Sequence, residues 1–435
     1  MTKVTVVGGG WAGSAAALSA AKAGAEVTLL ERTDMLLGTG LVGGIMRNNG
    51  RFTATEEAIA MGGREIFEAV ETVLRHKNID FPGHKHASLY DVAKIEPAIK
   101  TVLQKAGVNI MLHARANDIK MDGSKITGIV LADGEIVEGD VFVEATGTAG
   151  PPGNCTKYGN GCAMCVLRCP SFGPRISIAA KAGVKEIVGK KADGSFGAMS
   201  GSCKLHKESL SKEIEQKLNR TGVAVIPIPK SLQKKGALGM KACQQYALQE
   251  FAENIILLDT GHAKLMSPFY PLELLRQIPG FENARYEDPY AGGKGNSVRY
   301  LAISPRNNEL KVDGVENLFC AGEKAGLLVG HTEAIVTGLL AGHNAVRYAV
   351  GAKPVTVPAT LAIGDAIAYV REQMQSEEGL KYKYTFSGSV FFERMKQKNL
   401  YTTDVAEIKA RVDAAGLFDL YDQVLVKKAE GIAAR

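Results

Sequence analysis

The residues best suited to chemistry are cysteines. Seven occur in the 435-residue chain: Cys155, Cys162, Cys165, Cys169, Cys203, Cys243 and Cys320. Four of them crowd into the run Cys155–Cys169, as Cys162-x2-Cys165-x3-Cys169-Pro170 with Cys155 seven residues upstream. A four-iron cluster needs four thiolates converging on a small object, so short spacings around tight turns suit it. Gly153, Gly159 and Gly161 supply the turns, and Lys157, Arg168 and Arg175 place positive charge beside an anionic centre. Zinc is the rival ligand, although four-cysteine zinc sites commonly use two C-x2-C knuckles and only one is present. A redox-active dithiol at Cys162 and Cys165 is the third reading.

The second chemical signature opens the chain. Lys3–Val7 alternates and is β-branched, which predicts a buried strand. Gly8, Gly10 and Gly13 follow as G-x-G-x-x-G, then an Ala-rich helix over Ser14–Ala23, then a strand at Val27–Leu30 closed by Glu31. The first glycine makes the turn, the second lets a pyrophosphate approach, and the third lets helix and strand pack. The helix N-terminus offers N–H groups to phosphate. Glu31 is placed to accept hydrogen bonds from a ribose.

Two further strand-to-glycine turns bear on which dinucleotide is bound. Val141–Glu144 runs into Ala145-Thr146-Gly147, and Asn317–Gly322 reads NLFCAG before Glu323. Both resemble the turns of two-dinucleotide-fold flavoproteins. The resemblance implies FAD, with Thr146 and Gly147 near the adenine end, Glu323 at the ribityl or pyrophosphate region, and the helix over Thr337–Ala345 aimed at the flavin. No second G-x-G-x-x-G unit exists for a separate nicotinamide domain. The proline after Cys169 likewise resembles bacterial-type ferredoxin runs.

Around these residues the chain is ordinary for a globular protein, with 46% apolar and 23% charged residues. Its 49 glycines are about 11% of the chain, an excess that points to turns and ligand-hugging loops. No apolar run is long enough for a membrane span. The absence of a signal-like start and the odd cysteine count predict a cytoplasmic protein rather than a secreted disulfide scaffold. The net charge of +6 permits an anionic ligand or RNA.

Helices are expected over Thr55–His76, Val92–Ala106, Ile176–Ala182, Glu208–Asn219 and Ala242–Glu253. A strand is expected at Val108–Leu112. Paired strands are expected over Asp118–Val130 and Glu135–Val143, with a turn at Asp133-Gly134. The predicted fold is α/β: a Rossmann-like, two-dinucleotide-binding-type FAD domain interrupted by a second domain and followed by a helical extension. The expected pieces are 1–150, the first part of the FAD domain; 151–300, an inserted Cys-rich substrate domain; 301–350, the closing part; and 351–435, a helical C-terminal extension.

Further along, the chain reads YPLELLRQIPGFENARYEDPYAG from Tyr270 and VENLFCAGEKAGLLVGHTEAIVTGLLAGHNAVRYAVG from Val315. These stretches resemble the FAD-dependent glucose-inhibited-division-protein-A superfamily, which contains tRNA wobble-uridine enzymes and the smaller folate- and FAD-dependent tRNA uracil-5 methyltransferases. The resemblance covers roughly residues 1–50 and 270–350. It implies FAD held at Gly8, Gly10, Gly13, Glu31, Thr146, Gly147, Gly322 and Glu323. The chain departs from those methyltransferases after its first nucleotide unit: GGIMRNNGRF carries no cysteine, and a ferredoxin-like run is not part of their pattern.

Three residues are the candidates for catalysis: His331 beside the late flavin turn, Arg47 in the Arg-Asn-Asn turn, and Cys243. His84 and His86 read as solvated loop histidines, Cys320 as a small core residue, and Lys230–Lys241 as a solvated face. The expected function is an FAD-dependent oxidoreductase with a [4Fe-4S] cluster on Cys155, Cys162, Cys165 and Cys169 (zinc as alternative). Electrons would pass between a redox partner, the cluster and the flavin to a small-molecule substrate. The alternative is a flavin- and folate-dependent RNA-modifying enzyme using a thiol such as Cys203 or Cys243.

Overall fold

The computed structural model describes residues 2–147, 175–199, 202–233, 246–267, 269–288, 291–292 and 298–426. The β-branched run Lys3–Val7 forms the central strand of a five-stranded sheet. Its order is Leu318–Cys320, Val141–Glu144, Lys3–Val7, Glu26–Leu30, Asn109–Met111, with every neighbouring pair parallel. Parallel strands need crossovers, so helices cover the sheet and its strands read as continuous apolar runs. Val141–Glu144 is buried at all four positions for this reason.

Helix Trp11–Lys22 follows the first strand, and helix His331–Ala349 follows the strand Leu318–Cys320. The two helices pack backbone to backbone because two positions carry no side chain. A Cβ on Gly338 would lie 2.2 Å from the Ala12 carbonyl oxygen, and one on Gly342 would lie 2.1 Å from that of Ala16. Both helices run back from the carboxyl edge of the sheet, so both N-termini stand at that edge.

Residues 203–291 build a second core. Four antiparallel strands stand in the order Cys203–Leu205, Ala263–Leu265, Asn254–Asp259, Val223–Pro227. The pleat splits the apolar strand Asn254–Asp259 between two faces. Ile255 and Leu257 enter the core with Leu205, Leu218 and Phe281. Ile256 and Leu258 face Ile45, Phe81, Ala87 and Leu89, which come from a three-stranded sheet of the first 90 residues. The second sheet is therefore clamped to the first half of the chain by its own alternation.

Several expected elements differ. The helix over Thr55–His76 is two helices, Gly50–Ala60 and Arg64–Glu71, then a strand Leu74–Phe81. Gly62, at φ +91°, breaks the run. The single strand Asp118–Val130 is a hairpin, Ala116–Asp122 and Lys125–Leu131, turned at Gly123 with φ +58°. Ile136–Glu138 completes that sheet, while Val141–Glu144 joins the parallel one. Of the helix expected over Ala242–Glu253, Gln249–Glu253 is helical and residues 242–245 lie outside the described residues. His84 is 2% exposed in the strand His84–Tyr90, stacked on Phe81, because the strand turns it inward. The C-terminal region is helical at Ala362–Gln373, Ser389–Gln397 and Val405–Ala414.

Two predictions follow from this packing. Gly342→Ala pushes a methyl into the Ala16 backbone, and such overpacking costs about 1–3 kcal/mol; urea titration should show a lower midpoint with an unchanged slope. His343 is fully buried in the same helix, beside Tyr421, with neither ring nitrogen bonded among the described residues. Burial, with help from Arg347, pushes its pKa down to about 4 from 6.5. Protons therefore bind the unfolded chain first, and stability falls as pH drops from about 6.5 to 4, by about 3 kcal/mol when complete. Replacing His343 with Gln should flatten that part of the stability–pH curve; an equal acid loss in the variant would refute the assignment.

Candidate functional site

Both N-termini converge on the Gly-rich turn. Gly8, at φ +103°, is packed against the next strand, and a Cβ there would sit 2.5 Å from the Ala145 carbonyl oxygen. A Cβ on Gly13 would lie 1.8 Å from the Gly8 carbonyl oxygen. Gly10 is different. Its φ of −66° and ψ of −175° suit any residue, and a Cβ there would meet nothing within 4 Å among the described residues. Neither backbone nor packing requires glycine at that N-cap. The open space in front of it is the cradle a diphosphate needs, at a helix start with no side-chain cap. A Cβ on Gly147, at φ +67°, would likewise meet nothing within 4 Å among the described residues.

Glu31 is 8% exposed and is held by its own loop. Its Oε2 accepts from the Gly9 N–H at 2.8 Å; its Oε1 accepts from the Thr33 N–H at 2.9 Å and hydroxyl at 3.0 Å. A carboxylate accepts about four hydrogen bonds, so Oε2 keeps capacity for a ribose hydroxyl. The Thr146 hydroxyl turns inward and donates to Glu144 Oε1 at 3.0 Å. Gly322, at φ +64°, donates its N–H to Thr337 Oγ1 at 2.9 Å, which ties the late turn to the second helix. Glu323 is half-buried in the same turn. Cys320 is fully buried in its strand, and burial pushes its thiol pKa up to about 12, as suits a core residue.

Beneath these turns lies a buried charge network that sequence alone does not signal. Glu144 accepts from the Ile178 and Ala179 N–H groups at 2.9 Å each, and Lys324 Nζ lies 3.4 Å away. Lys324 also donates to Ser177 at 3.1 Å and pairs with Glu186, which Arg175 meets at 3.0 Å. Burial opposes ionisation of Glu186, yet Lys324 and Arg175 hold its carboxyl below the usual range. One carboxylate thus binds both flanks of residues 148–174. Cys155, Cys162, Cys165 and Cys169, and also Cys243, lie outside the described residues. Among the described residues no cluster of three His, Cys, Asp or Glu is arranged to hold a metal.

The other end of the site is built around His331. Gly330, the N-cap of its helix at φ +151°, leaves room for Arg51 and Glu333, each 2.1 Å from where its Cβ would be. Arg51 Nε donates to both oxygens of the buried Glu333 at 3.0 and 3.1 Å, and Thr385 and the Phe386 N–H donate to it at 2.6 and 2.9 Å. This network fixes the start of the helix. His331 Nδ1 lies 3.2 Å from the Tyr90 oxygen, and Tyr90 donates to the Gly40 carbonyl at 2.7 Å. Trp11 packs against both rings.

Arg47, at φ +63°, pairs with Glu56 and lies 4.6 Å over the Phe52 ring, so its guanidinium is engaged by these two side chains. Lys264, which the sequence does not mark, is 5% exposed. Its ammonium donates to the Val42 carbonyl at 2.7 Å and to Ser202 Oγ at 2.6 Å. Burial, with Lys204 nearby, pushes its pKa down to about 7. Cys203, 1% exposed on the neighbouring strand, places its sulfur 3.2 Å from the Ala291 carbonyl oxygen.

The family model of glucose inhibited division protein A matches residues 3–267 and 266–353 of this chain. The chain belongs to that family. Its sequence matches include the methylenetetrahydrofolate–tRNA-(uracil-5-)-methyltransferase TrmFO of Lysinibacillus sphaericus, 35% identical over 103 residues, 23% of this chain and 22% of that protein. The Thermus thermophilus TrmFO is 34% identical over 120 residues, 27% of this chain and 25% of that protein. The aligned stretches span about a quarter of these relatives. Aquifex aeolicus GidA superposes with a TM-score of 0.64 at 16% identity, covering 95% of this chain and 76% of that one. This last likeness shows the fold. Family membership makes the chain a flavoprotein, and the open cradle at Gly10 fits FAD.

Gly10→Ala tests that fit. The fold should lose no more than about 1 kcal/mol, the N-cap difference between glycine and alanine. FAD affinity should fall tenfold or more, read by fluorescence titration of the apoprotein. A variant that binds FAD like the wild type would show that the cradle is not a diphosphate site.

Proposed function

We propose that this chain is an FAD-dependent enzyme that modifies uridine in RNA, with a folate as one-carbon donor. The observation that carries this reading is the family match across residues 3–353, joined to a diphosphate cradle at Gly10. The names of the aligned relatives supply the substrate class. The net charge of +6 agrees with an anionic partner.

In this reading Gly10 and the start of helix Trp11–Lys22 hold the diphosphate, Glu31 takes a ribose hydroxyl, and Glu323 takes a hydroxyl of the ribityl region. Bound FAD supplies hydride-transfer chemistry at N5. His331, steadied by Tyr90, stands at the start of helix His331–Ala349, where it can hold a proton at a ring nitrogen for a flavin or substrate oxygen. Arg47 is turned to Glu56 and acts on the shape of the turn. The described thiols are not offered to a base, since Cys203 and Cys320 are 1% and 0% exposed. Thiol chemistry therefore falls to Cys243 or to the run Cys155–Cys169.

The test is incubation of FAD-loaded chain with unmodified tRNA and rRNA transcripts, methylenetetrahydrofolate and a reduced nicotinamide, followed by nucleoside mass spectrometry. A uridine gaining one methyl group is expected. Unmodified uridine together with no salt-sensitive RNA binding would overturn the reading.

The spacing of Cys155, Cys162, Cys165 and Cys169 is the ground for a second reading, a flavin fed by an iron–sulfur cluster on these four thiolates. Thr146 and the Ile178–Ala179 turn both bond Glu144. Anaerobically purified chain should then carry about four irons with matching acid-labile sulfide. Zinc in their place, or no metal, would exclude the cluster.

A further inference from the structure

The turn after the first dinucleotide unit runs along the whole site. At its start Leu37 donates its N–H to the Gly9 carbonyl at 2.8 Å and bridges to Gly10. In its middle the Gly40 carbonyl takes the Tyr90 hydroxyl. At its end a Cβ on Gly43 would lie 1.6 Å from the His331 ring. The turn is built from left-handed residues: Leu37 at φ +72°, Gly38 at +45° and Gly44 at +81°, with Arg47 at +63° and Asn49 at +53° just beyond. Non-glycine residues in that region are strained, and such strain clusters where surrounding structure enforces it.

From the second sheet Lys264 reaches this turn. Its ammonium binds the Val42 carbonyl, the residue next to the Gly43 that packs on His331. An ammonium has three protons, and two are accounted for, by Val42 and Ser202. Among the described residues Lys264 meets no carboxylate at ion-pair distance, whereas its cross-strand neighbour Lys204 has Glu287 and Asp288, each at 3.8 Å. A buried cation without an anion is costly. An anionic ligand at that turn would remove the cost.

We propose that Lys264, held against the Val42–Gly43 turn beside His331, is the counter-charge for the anionic form of the bound flavin. The proposal rests on the flavin reading and adds a residue to it. A positive charge at the pyrimidine end stabilises reduced flavin. It equally stabilises the sulfite adduct, in which sulfite donates its lone pair to N5 and leaves the negative charge on that end of the ring. Sulfite addition needs no other reactant, so the charge can be read without turnover.

The experiment compares FAD-loaded wild type with Lys264→Gln, which retains a donor for Val42 but no charge, with Lys264→Met as the second neutral variant. Lys264→Arg serves as the charge-retaining control. Neutral variants should bind sulfite tenfold or more weakly, and their two-electron midpoint potential should fall by the equivalent of about 30 mV per tenfold. The arginine variant should lie closer to wild type. Sulfite affinity and potential within twofold of wild type in the neutral variants would overturn the role of Lys264 and reduce it to a latch. Loss of FAD from folded neutral variants would also overturn it, because a charge acting on the anionic flavin leaves oxidised FAD bound. A wild-type chain that takes up no FAD overturns the flavin reading itself.

Discussion

The contact on which the site depends is the backbone-to-backbone packing of helix Trp11–Lys22 against helix His331–Ala349. These elements are more than 300 residues apart in the chain. They meet because Gly338 and Gly342 face the carbonyls of Ala12 and Ala16 at distances no side chain permits. Dispersion and apolar burial between close backbones hold the pair. Its consequence is electrostatic. Two helix N-termini, each the positive end of a helix dipole, are brought to one edge of one parallel sheet. The Gly-rich turn and the His331 turn become two ends of a single site only through this contact.

Charge is managed differently on the two sides of that edge. Under the Thr146–Gly147 turn the buried ions are compensated, since Glu144, Lys324, Glu186 and Arg175 alternate in sign. Beside His331 the buried Arg51 is matched to Glu333. Among the described residues Lys264 meets carbonyl and hydroxyl oxygens with no carboxylate at ion-pair distance. Compensated networks give rigidity, while an uncompensated one leaves a preference for negative charge in a ligand. The cradle and the cation lie at opposite ends of the Leu37–Gly44 turn, so one short strained segment carries both.

Membership of the glucose inhibited division protein A family agrees with this geometry, and it changes the weight of the cysteines. The run at Cys155–Cys169 is the strongest chemical motif by spacing, yet the family rests on a match across residues 3–353 and the fold on the parallel sheet. The structure adds that the described thiols are core residues. It also adds that Thr146 and the Ile178–Ala179 turn are fastened to one carboxylate, Glu144.

By itself the sequence determined the parallel nucleotide fold, the Gly8–Gly13 turn, the strand at Val141–Glu144, the late Gly322 turn and the small-residue helix. These are local signals: β-branched runs, glycine spacing and helical periodicity are encoded within a dozen residues. Local signals also misled it, because periodicity across Gly62 and Gly123 looked continuous until left-handed glycines broke it. Only the tertiary structure decided that Glu31 is held by Gly9 and Thr33, that Arg47 turns to Glu56, that His84 is buried, and that Lys264 reaches Val42. Each depends on which distant backbone arrives beside a side chain. No residue type or spacing along the chain records that, because burial and partner choice are set by packing rather than by neighbours in sequence.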